Sequence, residues 1–216
     1  MIITGTDIKY HRAPLPFVGQ KRLFIKPFCE LIRNFNGESV FDVFAGSSLL
    51  SRYTKDTRPD LTVYTNDIGD YQCRLCKVKE TNETLDLMRD NGAVFINEKY
   101  EKYSFETEQI LKEIVEKAAD KETVYQSFYT RHGASPRKKC RTVNFDELLC
   151  AHWYDGLVVT RIVINCFIAP DNIQADLLIL DPPYTQKPNS IKSDQDYIGD
   201  TKSARDFCKS AIKSKN

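Results

Sequence analysis

The stretch Leu177-Leu178-Ile179-Leu180-Asp181-Pro182-Pro183-Tyr184 constrains this chain more than any other. Consecutive aliphatic residues with no charge among them predict a strand buried on both faces of a parallel sheet, since a half-exposed strand alternates apolar and polar positions. Asp181 then falls at the carboxyl end of that strand, where open α/β sheets gather their ligands. Pro182 and Pro183 stop a helix from following and hold the backbone carbonyls in place. Tyr184 adds a flat aromatic surface at once. A carboxylate, a fixed carbonyl and a ring at one strand end can accept two hydrogen bonds from an amino group while stacking on its ring, which describes a grip on an extruded nucleobase. Asp-Pro is also ordinary turn chemistry, so this reading requires the rest of the chain to supply a cofactor site.

Upstream, Ser39-Val40-Phe41-Asp42-Val43-Phe44 reads as an apolar strand, Ala45-Gly46-Ser47-Ser48 as a tight small-residue turn, and Leu49-Leu50-Ser51-Arg52-Tyr53 as the start of a helix. Strand, small-residue turn and helix cradle a nucleotide-like cofactor by aiming backbone N–H groups at it. The same pattern also fits a serine-capped helix after any α/β strand. A second strand at 62–65 ends in Asn66-Asp67, and Asp67 lies 21 positions beyond Gly46. That is the spacing at which an acid at the second strand's end meets ribose hydroxyls in βαβ cofactor sites. Before both, Pro14-Leu15-Pro16-Phe17-Val18-Gly19-Gln20-Lys21-Arg22 is a proline-stiffened loop leading into an amphipathic helical pattern through Ile32. Gly19 there lets the backbone approach a ligand, and Lys21 can meet a carboxylate.

Residues 76–153 break the α/β rhythm. A helix is expected over 106–119, with Ile110, Leu111, Ile114, Val115 and Ala118 forming its buried stripe. The stretch 125–141 follows, interleaving aromatic residues with Arg131, Arg137, Lys138, Lys139 and Arg141 around a Gly/Ser/Pro loop. Lys and Arg total 31 against 30 Asp and Glu, so no global field announces a polyanionic partner and any nucleic-acid surface must be a local patch such as this one. The sheet resumes over 158–167, where Phe167 either stacks on a cofactor ring or packs in the core. Residues 185–201 read as a polar loop and 203–215 as a short amphipathic helix. No charged-then-apolar leader opens the chain and no apolar run is long enough for a bilayer, so the expected compartment is the cytoplasm. The seven cysteines are expected to be mostly reduced thiols. Cys73-x-x-Cys76 lacks a second tight ligand pair and gives no expectation of a metal.

In this order, PLPFVGQKR, FDVFAGSSLL, YTND and LLILDPPY resemble the Dam-type DNA adenine methylases, the small phage and prophage members above all, over about residues 14–197. The resemblance implies an α/β fold, a Rossmann-like class I methyltransferase sheet. Residues 1–75 and 154–216 would form the cofactor-binding catalytic domain, and 76–153 an inserted, mainly helical and loop target-recognition region. It implies S-adenosylmethionine as methyl donor, the exocyclic 6-amino group of adenine in double-stranded DNA as acceptor, and a setting such as restriction–modification.

Residue by residue, Phe17, Gly19 and Lys21 match the family's amino-terminal cofactor motif, and Asp42, Phe44, Ala45 and Gly46 its glycine-turn motif. Asp67 matches the ribose-binding acid and Phe167 the ring beside the cofactor's adenine. Asp181, Pro182 and Tyr184 match the catalytic motif, with Asp181 also bordering the cofactor. Tyr129, Arg131, Arg137, Lys138, Lys139 and Arg141 fall in the DNA-contacting region.

Two departures stand out. Family members have a second glycine where this chain carries Ser48, a side chain expected to crowd the cofactor's methionine end. The chain also stops at Asn216, so the sheet is expected to be truncated after the catalytic strand, or completed by a partner or by self-association. The rival expectations are a methyltransferase acting on cytosine, glutamine or RNA amines, and an inactive relic that binds DNA or a partner. A dinucleotide oxidoreductase is disfavoured because no GxGxxG is present.

Overall fold

The apolar runs of the sequence lie side by side in one parallel sheet. The structure, a computed structural model, describes residues 12–17, 21, 24–67, 69–93, 104–128, 144–160 and 174–181. Among them the strands are β1 (Ser39–Asp42), β2 (Thr62–Asn66), β3 (Leu157–Thr160) and β4 (Leu177–Ile179), in the order β3-β2-β1-β4. Every neighbouring pair is parallel, and Asp42 at the end of β1 stands opposite Thr65 of β2 and Ile179 of β4. This is a Rossmann-like parallel sheet, as expected, and its order is that of the first four strands of a doubly wound fold. β1 holds the centre because Val40, Phe41 and Asp42 are buried. β4, expected to be covered on both faces, is instead half-buried, and it forms the edge of the sheet built by the described residues.

The strands are joined and covered by helices whose apolar spacing sets their buried face. α1 (Ile25–Arg33) buries Ile25, Phe28, Cys29 and Ile32, one stripe of a 3.6-residue repeat. Pro27 sits in its first turn, where a missing N–H breaks no helical bond. α2 (Leu49–Thr57) makes the crossover from β1 to β2 and buries Leu49, Leu50, Ser51, Tyr53 and Thr54. The entry ends of β1 and β4 are lashed together by Asp176, whose Oδ2 accepts from the N–H groups of Glu38 (2.8 Å) and Ser39 (2.9 Å) and from Ser39 Oγ (2.9 Å). That carboxylate supports the register in which Asp42 stands opposite Ile179, two residues before Asp181.

The chain divides into two compact units. The first comprises Met1–Ala13, Gly19–Gly69 and Tyr154–Asn216 and contains the whole described sheet; the second comprises Pro14–Val18 and Asp70–Trp153. The described part of the second unit is helical: α3 (Tyr71–Cys76), α4 (Val78–Asp90), α5 (Phe105–Lys117), α6 (Lys121–Phe128) and α7 (Glu147–Ala151). Ser104 caps α5 by accepting from the Thr107 N–H, and Asp146 caps α7 by accepting from the Leu149 N–H. Asn82 on α4 clamps the segment before α7, its Oδ1 accepting from the Phe145 N–H (2.8 Å) and its Nδ2 donating to the Phe145 carbonyl (3.0 Å).

Two expectations for this unit need correction. Ile110, assigned to the buried stripe of the 106–119 helix, is 43% exposed, because α5 turns Leu111 and Val115 inward instead. Residues 125–128, read as the start of a basic loop, are the last turn of α6. The 203–215 helix lies outside the described residues.

Candidate active site

The crevice of a doubly wound sheet opens where successive connections leave a strand in opposite directions, at the carboxyl ends of the strands. Here that point lies between β1 and β4: α2 carries the chain from β1 to β2 on one side, and β4 pairs on the other. The turn after β1, the end of β2 and Asp181 after β4 therefore share one edge of the sheet.

The turn is built from short side chains on a bent backbone. The Val43 N–H continues the ladder to the Ile179 carbonyl (3.1 Å), and the Ala45 N–H reaches across to the Asn66 carbonyl (3.0 Å). Asn66 answers by donating from Nδ2 to the Val43 carbonyl (3.1 Å). Gly46 takes a left-handed φ of 52°, a conformation that L side chains disfavour, which is the reason for a glycine here. Phe44 packs on Phe41 and Val43 below the turn. Asp67, at the end of β2, is partly exposed and folds the following loop by accepting from the Gly69 N–H (2.8 Å).

Ser48 is where the structure departs from expectation. It precedes α2 in the capping position, yet its side chain makes no cap, and its φ of 54° is left-handed. The crowding expected of it does not follow, because the residue is buried and its hydroxyl turns inward to Thr65 Oγ1 (2.8 Å) and the Tyr154 phenol oxygen (3.2 Å).

Lys21 Nζ stands 2.7 Å from Asp181 Oδ2, with side chains 25% and 30% exposed, so an open carboxylate is paired to an amine at the switch point. Asp42 lies beneath the turn, only 2% exposed, and accepts from Ser51 Oγ at 2.8 Å. Burial pushes its carboxyl from 3.8 up to about 7; the Ser51 hydrogen bond opposes that rise, and the charges of Asp181 and then Asp67 add to it. The charges of Asp181 and Asp67, after the ends of two other strands, thus reach Asp42.

Asp42 also sets a pH dependence. Between about pH 4 and about pH 7 the folded protein holds a proton on Asp42 that the unfolded chain has released, so this group's contribution to stability falls as pH rises through that window and is constant on either side. Asp42→Asn removes the titration and keeps an acceptor for Ser51. The full displacement would be worth about 4 kcal/mol, and relaxation around a buried group leaves an expected gain for the variant of about 1–2 kcal/mol at pH 8, vanishing near pH 4. Thermal denaturation of both proteins at the two pH values measures it; equal stability at pH 8 contradicts the buried charge.

The remaining candidates separate cleanly. Phe17 belongs to the second unit, where its ring meets Tyr71 edge-on at 5.6 Å between centroids. Gly19, Phe167, Pro182, Tyr184, Tyr129, Arg131, Arg137, Lys138, Lys139 and Arg141 lie outside the described residues. Among the described residues no group of three His, Cys, Asp or Glu side chains is arranged to hold a metal. Burial pushes the Cys150 thiol up to about 12. Sequence reasoning missed Ser51, Thr65, Tyr154 and Asp176, none of which carries a local signal.

With this geometry in place, the comparison with known proteins is decisive for the family. Residues 17–147, more than half of the chain, match the family of D12 class N6 adenine-specific DNA methyltransferases. The chain belongs to that family. The D12 match covers the turn after β1 and Asp67 and ends before β4, so Asp181 joins the site through sheet topology. A Haemophilus influenzae protein named "Putative methyltransferase" is 42% identical over 79 residues, a stretch covering 34% of this D12-class chain and 26% of that protein. The chain thus matches about a quarter of the length of this curated relative. No solved structure matches.

Proposed function

We propose that this chain transfers a methyl group from S-adenosylmethionine to the exocyclic 6-amino group of adenine in double-stranded DNA. The observation that carries this reading is the meeting, at the switch point between β1 and β4, of a glycine turn, the Asp67 carboxylate and the Lys21–Asp181 pair. The turn suits the cofactor: Gly46 bends the backbone, the neighbouring side chains are short, and Asp67 occupies the strand-end position of a ribose-binding acid. Phe44, Ala45, Gly46, Asp67 and Asp181 would border the cofactor, with Phe17, Gly19, Lys21 and Phe167 assigned by resemblance and Asp42 supporting the turn from below. When bound, S-adenosylmethionine supplies an electrophilic methyl group.

The chain's own residues prepare the acceptor. Adenine's amino lone pair is delocalised into the ring, so the nitrogen is a poor nucleophile. Asp181 and the Pro182 carbonyl accept from the two amino hydrogens and build electron density on nitrogen, while Tyr184 stacks on the extruded base. Lys21 holds Asp181 in place until the amino group competes for the same carboxylate oxygen. No covalent enzyme intermediate is required, and the proton that the methylated nitrogen sheds passes by way of Asp181 to solvent. Residues 76–153 serve as the target-recognition region, with Tyr129, Arg131, Arg137, Lys138, Lys139 and Arg141 meeting phosphates and bases. Among the described residues no helix is long and apolar enough to cross a membrane, and a DNA substrate assigns the protein to the cytoplasm.

The test is incubation with methyl-labelled S-adenosylmethionine and double-stranded DNA, followed by digestion to nucleosides. Label is expected in N6-methyladenine. Label in N4-methylcytosine, RNA or protein moves the substrate, and no label together with no heat of cofactor binding overturns the proposal.

A further inference from the structure

Ser48 is, among the described residues, the non-glycine residue in the left-handed region, at a φ of 54°. An L-residue in the left-handed well is disfavoured about tenfold, so something must hold it there. Its backbone closes the turn from both sides: the N–H donates to the Ala45 carbonyl (2.8 Å), and the carbonyl accepts from the Arg52 N–H (2.9 Å), the first bond of α2. The side chain has left the usual capping task for two hydroxyl partners. Thr65 Oγ1 comes from buried β2 and the Tyr154 phenol from the segment entering β3, so the hydroxyl ties the turn to two neighbouring pieces of the same unit. A glycine here would relieve the backbone and leave the buried Thr65 hydroxyl without this partner.

We propose that Ser48 is the positioning residue of the 45–48 turn: its hydroxyl, held by Thr65 and Tyr154, locks the left-handed bend that shapes the turn against which the cofactor binds. The inference rests on reading this turn as the cofactor cradle. Three consequences distinguish a lock from mere packing. Ser48→Ala keeps the strained backbone and loses both hydrogen bonds, so the turn relaxes. Ser48→Gly removes more atoms yet restores the bend, because glycine adopts it freely. Tyr154→Phe costs more while Ser48 is present than after Ser48→Ala, which makes the pair non-additive.

Hydrogen exchange of the 46–50 amides in the free protein and calorimetric titration with S-adenosylmethionine, on the full chain, test this. Ser48→Ala is expected to exchange faster at these amides and to bind the cofactor about tenfold more weakly, the full left-handed cost. Ser48→Gly should bind within about threefold of the unsubstituted protein, and Tyr154→Phe should weaken binding more in the Ser48 background than in that of Ser48→Ala. Ser48→Ala amides as protected as the unsubstituted ones, or Ser48→Gly as impaired as Ser48→Ala, overturn the lock. Failure of the underlying reading looks different: the unsubstituted protein gives no heat with S-adenosylmethionine, while the exchange comparison, which needs no ligand, still decides for or against the lock.

Discussion

Asp181→Asn is expected to lower methyl transfer to adenine by at least about 100-fold while leaving the protein folded. The substitution preserves size and one carbonyl acceptor but replaces a charged acceptor with an amide whose NH2 points hydrogens at the incoming amino group. Donor then faces donor at the place where charge must be drawn from the base. The loss should fall equally on kcat and kcat/KM, since the interaction strengthens as the amino nitrogen becomes pyramidal and its hydrogens acidify. Stability should hardly move. Asp181 is 30% exposed and its partner Lys21 is 25% exposed, so water replaces the ion pair at little cost. Label incorporation and a thermal scan of both proteins decide the matter: equal incorporation removes Asp181 from the chemistry, and a collapse in melting temperature makes it structural.

How legible this site was in the sequence depends on the range over which each signal acts. The strand of 177–180, the strand of 39–44 and the acid after the second strand are local patterns, and the parallel register sets them level with one another. What the sequence could not show is where each polar side chain turns. Asp42 stands beside Gly46 in the motif yet bonds downward to Ser51, and Ser48 looks like a helix cap yet bonds to residues 17 and 106 positions away. In the second unit the 106–119 helix was legible as α5, whereas α4 was hidden for a related reason. α4 buries Thr81 and Asn82 alongside Val78, Leu85 and Met88, so a search for apolar periodicity alone sees gaps. Asn82 earns its buried place through Phe145, 63 positions later.

Arg74 is the clearest case of a residue whose role reverses between sequence and structure, and Arg74→Met is expected to destabilise the protein by about 3–5 kcal/mol. In the sequence it is one of the chain's many cations. In the structure its side chain is 9% exposed, with Nε 3.2 Å from Asp120 Oδ2, whose own side chain is 3% exposed. Nη1 lies 3.1 Å from Glu122 Oε1, Nη2 donates to Thr123 Oγ1 (2.6 Å) and the Pro16 carbonyl (3.0 Å), and the guanidinium carbon is 5.5 Å from the centre of the Tyr71 ring. Methionine keeps the volume but strands a carboxylate in the interior, and that uncompensated charge dominates the cost. At about 2–4 °C per kcal/mol for a chain of this size, the melting temperature should drop by roughly 6–20 °C. Adding Asp120→Leu should recover much of the loss by removing the stranded charge, whereas the variants of a surface cation would simply add. The 14–18 segment should loosen as well, since it is held by the Pro16 bond to Arg74 and by the Tyr71 phenol, which accepts from the Leu15 N–H (2.9 Å) and donates to its carbonyl (3.1 Å). Faster hydrogen exchange at the Leu15 amide, measured under native conditions, follows if that anchoring is shared; an Arg74→Met protein within about 1 kcal/mol of the parent means the cluster is solvated and the ion pair a surface contact.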